Sequence, residues 1–275
     1  MSKVIIDLSH HQDPSKINYD ELAKHICHAI IRTQYGSKTV DKHYKTHHRE
    51  LRKRGIPTAA YAWVRGVSEN DMRVEARDFW NRTKDLEPTF WWLDVEEQSM
   101  ANMRAGVKAY VQELRKLGAK KVGVYIAHHL YKTFNLDMSD FDAVWIPRYG
   151  PNNGKPNENS KPAYPCDLWQ YTSKGRLPGY TGYLDLSMII SDKPLSFFTG
   201  EEAKVQGEAG KVDRKKEGPF KDVPADHWAA DAIWKVKEAR LMSGREDGTF
   251  APNEPVTRAQ MASVLARLLD KLQVK

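Results

Sequence analysis

Eight short runs rich in apolar, β-branched and aromatic residues recur across the first 199 residues, and their spacing constrains the fold more than any other feature. They cover residues 4–8, 28–33, 57–64, 90–95, 122–127, 143–147, 167–171 and 184–188. Runs of this length and composition read as strands. Polar or amphipathic stretches at 19–25, 42–54, 69–84 and 102–117 lie between the earlier runs and read as helices. Strands alternating with helices imply a parallel sheet. Eight of them imply closure into a barrel, whose chemistry sits at the carboxyl ends of the strands. The last three runs have little helical sequence between them. The expected fold class is α/β: an irregular TIM-like (β/α) barrel with helices reduced in its second half.

The chain changes character after residue 199. Residues 200–218 hold ten charged residues, five of each sign, and no aromatic. Such a stretch cannot bury much surface and reads as a charged linker. Residues 219–275 become compact again. Trp228, Ala229, Ala232, Ile233 and Val236 form one helical stripe, and Met261, Val264, Leu265, Leu268 and Leu269 form a second. Glu246-Asp247-Gly248-Thr249 is a turn signal. Thr257-Arg258-Ala259-Gln260 fits a capping box, with Thr257 as N-cap and Gln260 reaching back. A two-helix, all-α unit this small is expected to need a neighbour or copies of itself for stability.

Composition narrows the partners. With 275 residues and 40% hydrophobic content, the chain has room for one large domain and a small one. The net charge of +7 and pI of about 9.2 fit an anionic polymer. No nucleic-acid-binding motif accompanies the charge, so nucleic acid is not an expected partner. No run reaches about 18 apolar residues, so no membrane span is expected. The N-terminus lacks a basic region followed by a long apolar segment, so no signal peptide is expected. Cys27 and Cys166 are far apart in sequence and read as free thiols. The 8 Trp and 12 Tyr, in a chain of mean hydropathy −0.67, point to stacking surfaces.

The chemistry concentrates at strand ends. In Phe90-Trp91-Trp92-Leu93-Asp94-Val95-Glu96, alternation puts Trp92, Asp94 and Glu96 on one face. Burying two acids together is costly unless something uses them. Asp7 ends the first run and Asp185 lies in the eighth, and closure makes these runs neighbours. Four carboxylates at one mouth cannot all ionise easily, so at least one must hold its proton. Glu96, with the longer reach, is the expected proton donor, and Asp94 the group that stabilises positive charge. This pairing suits sugar-bond hydrolysis. Two residues along a strand rise about 6.6 Å, which leaves the stereochemical outcome open. Tyr61, Trp63, Tyr125, Trp145, Trp169 and Gln170 are the expected substrate-binding residues, with Tyr149 and Tyr171 close by. His10 and His11, beside Asp7, are the only serious metal candidates. HExxH, paired CxxC and Gly-rich phosphate motifs are all missing, so neither a metal nor a cofactor is expected.

These residues resemble a known family. Asp7-x-Ser9-x-x-Gln12, Ile31-Arg32-Thr33-Gln34-Tyr35-Gly36, Asp94-x-Glu96, Trp169-Gln170-Tyr171 and Leu184-Asp185 occur in the order and at the intervals of family-25 glycoside hydrolases, the Chalaropsis-type lysozymes. The resemblance covers residues 1–199 and implies an N-acetylmuramidase acting on peptidoglycan. Its acid–base glutamate maps to Glu96, its assisting aspartate to Asp94, and its other pocket aspartates to Asp7 and Asp185. Assistance by the substrate's own acetamido group is one route the resemblance implies. Tyr35 stands where that family usually has an acid, and Pro147-Arg148 where it has a small residue.

Residues 219–275 resemble one surface-layer homology module. Phe220-x-Asp222-Val223, Trp228-Ala229, Asp247-Gly248-Thr249-Phe250-x-Pro252 and Val256-Thr257-Arg258-Ala259-Gln260 carry the likeness. It implies binding of secondary cell-wall polysaccharide through Asp222, Trp228, Gly244 and Arg258, and self-association through the single module. The combined expectation is a wall-tethered lytic enzyme of the phage endolysin kind, held in the host cytoplasm until lysis; the alternatives are a non-catalytic wall-binding or surface-layer-associated protein on a hydrolase scaffold and a barrel hydrolase of another amino-sugar polymer.

Overall fold

The computed structural model describes residues 3–200, 218–239, 241–245 and 247–273. The expected linker lies almost entirely outside the described residues, as does Glu246 of the expected turn. The chain divides into two compact units, Met1–Lys204 and Val205–Lys275.

The first unit is built on β1 (Val4–Leu8), β2 (Ile26–Tyr35), β3 (Thr39–Val40), β4 (Thr58–Trp63), β5 (Trp91–Val95), β6 (Val122–Ile126), β7 (Ala143–Pro147), β8 (Leu168–Gly175) and β9 (Leu184–Ile189). They run in the order β1-β9-β8-β7-β6-β5-β4-β2-β3, and an added β1–β2 pairing closes eight of them into a barrel. Two-residue β3 sits antiparallel on the end of β2. The helices are α1 (Tyr19–Leu22), α2 (Tyr44–Arg52), α3 (Glu69–Thr83), α4 (Met103–Leu117), α5 (Tyr131–Phe134) and α6 (Leu195–Thr199). The long ones fall in the first half, as expected.

One expectation needs correction. The sheet is not parallel throughout, because β9 runs antiparallel to both β8 and β1. Without a helical crossover the chain reverses at once and pairs beside the strand it has just left. The reversal matters for function. Asp185 is the second residue of β9, so only an antiparallel β9 carries it to the mouth where β1 ends, opposite Asp7 in the register.

Strand alternation sorts the core. From β5, Trp91, Leu93 and Val95 face outward and pack with Val107, Tyr110 and Leu114 of α4 and with Met72 and Phe79 of α3. Phe90 and Trp92 face inward with Ile5, Ile30, Tyr61, Tyr125, Trp145 and Leu168, filling the barrel beneath its mouth. Gly123 pairs with Trp92 across the β5–β6 ladder, and a Cβ there would stand 2.3 Å from the indole. Local signals end the helices where the pattern says they should. The side chains of Ser68 and Asn102 cap α3 and α4, each bonded at 3.1 Å to a first-turn N–H. Gly118, with φ of 114°, closes α4.

The second unit holds α7 (Ala230–Glu238) and α8 (Arg258–Gln273). Its small core is Val223, Ala230 and Ile233, with Phe220, Ala229 and Phe250 packed on it. The capping box forms: Thr257 N–H donates to Gln260 Oε1 at 2.8 Å, and Gln260 N–H to Thr257 Oγ1 at 3.2 Å. The turn at Asp247-Gly248-Thr249 also forms, with Thr249 N–H donating to Asp247 Oδ1 at 2.9 Å. The stripes are not both buried. Trp228 precedes α7 and is 87% exposed, and Met261, Leu265, Leu268 and Leu269 of α8 are exposed too. A core this small has no room for a second helical stripe.

Candidate active site

The carboxyl ends of β1, β2 and β4–β8, together with the start of β9, surround a cavity of about 220 Å³. Asp7, Asp94, Glu96 and Asp185 all line it, with Arg32, Tyr61, Trp63, Tyr125, Trp145, Tyr149 and Gln170. The inward set follows from register. Trp63 pairs with Asp94, Asp94 with Tyr125, and Tyr125 with Trp145, so equivalent positions on adjacent strands share one level. Glu96 lies one residue past the end of β5, where it is half-buried.

Gln170 organises one wall. Its amide nitrogen donates to Asp7 Oδ2 at 2.7 Å, while its Oε1 accepts from Tyr149 OH at 2.7 Å and Tyr125 OH at 3.0 Å. Trp145 is fixed by its indole N–H, which donates to Ser187 Oγ at 3.1 Å. Two groups on the β4–β5 side, Asp94 Oδ1 and Trp63 Nε1, meet no partner among the described residues. Buried polar atoms are nearly always bonded, so an acceptor and a donor together at a cavity wall are groups a ligand can satisfy.

The carboxylates raise one another. Burial, then Glu96 and Asp7, push Asp94 well above the ordinary range, with Arg32 opposing. Burial, then Asp185, push Asp7 up, and its bond from Gln170 opposes. Glu96 is pushed up to about 7 by burial, then by Asp185 and Glu97. Asp185 is pushed up to about 6 by burial. At neutral pH the cavity therefore holds protonated carboxylic acid beside carboxylate, the requirement for general acid chemistry.

Of the expected substrate-binding residues, Tyr61, Trp63, Tyr125, Trp145 and Gln170 line the cavity, and Trp169 does not. Because Gln170 points inward, Trp169 and Tyr171 point outward. Trp169 is fully buried against Leu8, Ile31 and Tyr171, with its indole N–H donating to Arg148 O at 2.8 Å. Sequence reasoning gave no substrate role to Ser9, His11, Gln12 or Arg32, which also line the cavity. Ser9, Gln12 and Arg32 lie in the motif segments that carry the family resemblance, and the inward parity of Ile30 and Arg32 also marks the arginine. Among the described residues no three His, Cys, Asp or Glu side chains are grouped to hold a metal, and His10 contacts Arg32 instead.

In the second unit, the four residues expected to bind wall polymer do not share a cavity. Asp222 is occupied inside the fold, accepting from Phe250 N–H and Ala251 N–H at 2.7 Å each. Gly244 lies close under Phe220, and a Cβ there would meet the ring at 2.3 Å. Trp228 and Arg258 are exposed.

Comparisons with known proteins agree with this geometry. Residues 6–180 match the model of glycosyl hydrolases family 25, and residues 219–262 match the S-layer homology domain. A glycosyl hydrolase 25 of Streptococcus pneumoniae, described as a virulence factor participating in host cell invasion, is 39% identical with a TM-score of 0.67. The alignment covers 70% of this chain and 89% of that one. The catalytic domain of an endolysin from a bacteriophage of Listeria monocytogenes is 32% identical with a TM-score of 0.65, over 70% of this chain and 95% of that one. A cellulosome-anchoring protein of Acetivibrio thermocellus is 49% identical over 53 residues, 19% of this chain. The chain spans 12% of that relative's length. The barrel, its acid-lined mouth and the match over residues 6–180 lead to one assignment: this chain belongs to the glycosyl hydrolases of family 25.

Proposed function

We propose that the barrel cuts the β-1,4 bond between N-acetylmuramic acid and N-acetylglucosamine in peptidoglycan, while the second unit holds the enzyme on the cell wall. The observation that carries this reading is the convergence of four carboxylates on one cavity, with Glu96 at about 7. Glu96 donates its proton to the glycosidic oxygen as the C–O bond breaks. Asp94 Oδ1 accepts the acetamido N–H of the muramic sugar. The acetamido oxygen is then turned toward the anomeric carbon and attacks it as the leaving group departs. Water then adds to the anomeric carbon as its bond to the acetamido oxygen breaks, and Glu96, now a carboxylate, takes the water's proton. Asp185, pushed up only to about 6, is the carboxylate that faces the developing positive charge at neutral pH, and Gln170 fixes Asp7. The aromatic side chains that line the cavity, half-buried Trp63 and Tyr149 among them, serve the sugar faces and hydroxyls.

Residues 1–199 are assigned to catalysis, 200–218 to a linker and 219–275 to wall binding. Arg258 suits an anionic wall polysaccharide, since a guanidinium pairs well with carboxylate, and exposed Trp228 offers a sugar-stacking face. Asp222 and Gly244 shape the module that presents them. The exposed apolar face of α8 supports self-association, which would also multiply weak wall contacts.

Glu96→Gln tests the central role. The variant should fold normally and lose at least about a hundredfold in turnover, the scale of general acid catalysis. Turnover near that of the parent enzyme would remove Glu96 from the mechanism.

A further inference from the structure

Glu96 lies one residue past the end of β5, beyond the strand ladder that fixes Asp94. Trp63 ends β4 and stands half-buried on the cavity wall, its indole N–H without a partner among the described residues. Both need something to hold them in place, because a misplacement of about 1 Å can cost about a hundredfold in rate.

Three side chains that do not line the acid-lined cavity reach both. Tyr35 ends β2 and pairs with Trp63 in the β2–β4 register. Its ring packs on the indole with centroids 5.2 Å apart, and the Arg65 guanidinium lies over the tyrosine ring at 4.6 Å. Arg65 Nε donates to Glu97 Oε1 at 2.6 Å, and Tyr35 OH donates to Glu97 Oε2 at 3.4 Å. Arg65 is also held at its backbone, where its N–H donates to buried Glu75. A second tie runs beside the first, from Ser99 Oγ to Gly66 O at 2.8 Å. The Arg65 and Glu97 side chains are 48% and 31% exposed, and an ion pair so open to water adds little stability. What it supplies is position, since it ties the segment that carries Glu96 to the one that follows Trp63.

We propose that Tyr35, Arg65 and Glu97 are positioning residues for the hydrolase, an inference that rests on the roles given above to Glu96 and Trp63. Glu97, held by Arg65, sets the place of the adjacent Glu96. Tyr35, held by Arg65 and Glu97, sets the plane of Trp63. The two ends of this brace serve different steps. Glu96 acts as the bond breaks, so loosening its end lowers kcat. Trp63 meets the sugar on binding, so loosening its end raises KM.

The test measures kcat and KM on soluble peptidoglycan glycan from new reducing ends, with kcat taken at the top of each pH profile. Glu97→Ala should lower kcat by about tenfold, within the range that misplacing a reacting group produces. Glu97→Gln keeps an acceptor for Arg65 and should restore most of that loss. Tyr35→Leu should raise KM by about fivefold, the scale of one lost aromatic pair, at little cost in kcat. Arg65→Met cuts the tie from its exposed side and should show both effects. Melting curves establish that the compared enzymes are folded at the assay temperature. Folded variants with the kcat and KM of the parent would overturn the brace and leave these contacts a merely structural role. So would Glu97→Gln losing as much kcat as Glu97→Ala, since charge and not position would then be at work. A parent enzyme that releases no new muramic ends would overturn the proposed activity, and this inference with it.

Discussion

Burial, Asp185 and Glu97 together hold Glu96 at about 7, so the pH dependence of turnover reports on named neighbours. A proton donor is active only while protonated, and the rate should fall as pH rises through about 7. Asp185→Asn removes the second cause of this elevation, so the alkaline limb should move to lower pH. A limb that stays in place would mean another group sets it. The same variant should change stability. Asp185 is raised to about 6 from 3.8, so its folded form favours the proton. The associated stability is complete below the unfolded value and is lost as pH rises through 6. At pH 8 the Asn variant should therefore be more stable to unfolding, by on the order of 3 kcal/mol, with no such gain at pH 3. The carboxylates were legible from the sequence because a strand has period two. The same rule excludes Trp169 once Gln170 is placed inside, since neighbours on a strand cannot share a face. Ser9, His11 and Gln12 were not legible as cavity residues from strand period, because they follow the end of β1, where no period fixes direction.

At the level of elements, the α3 and β4 pair carries a second titrating device. Glu75 of α3 is buried and accepts the Arg65 N–H, two residues past β4, at 3.2 and 3.3 Å. Burial pushes it up to about 8. Its folded pKa is raised, so the stability it contributes is present at acid pH and lost as pH rises through 8. Glu75→Gln keeps an acceptor for Arg65 and removes the ionisation. The variant should be more stable than the parent at pH 9, by on the order of 4 kcal/mol, and match it near pH 3. Equal melting at pH 9 would mean the carboxyl is solvated. All eight barrel strands were legible, as were α2, α3 and α4, because apolar period and caps agree there. β3, α5 and α6 were not, since two to five residues cannot display a period. The reversal of β9 was implied only by the missing crossover helix before it.

Across the whole molecule, catalysis and wall retention are assigned to different parts of the chain. Residues 1–199 alone should cut soluble glycan at a rate close to the full chain and sediment less with intact walls. The full chain should show concentration-dependent association in sedimentation equilibrium, and the shortened one should not. Equal wall binding by the two forms would dissociate α8 and its neighbours from tethering. The second unit was legible as a small helical module from its capping box and turn, but the exposure of its α8 stripe was not, because amphipathicity says which residues share a face and not what covers it. The most direct test of the account is mass spectrometry of the products from purified peptidoglycan, with borohydride reduction to mark new reducing ends. Reduced muramic acid at those ends is the predicted result, whereas reduced glucosamine, or no new ends where a control lysozyme works, would contradict it.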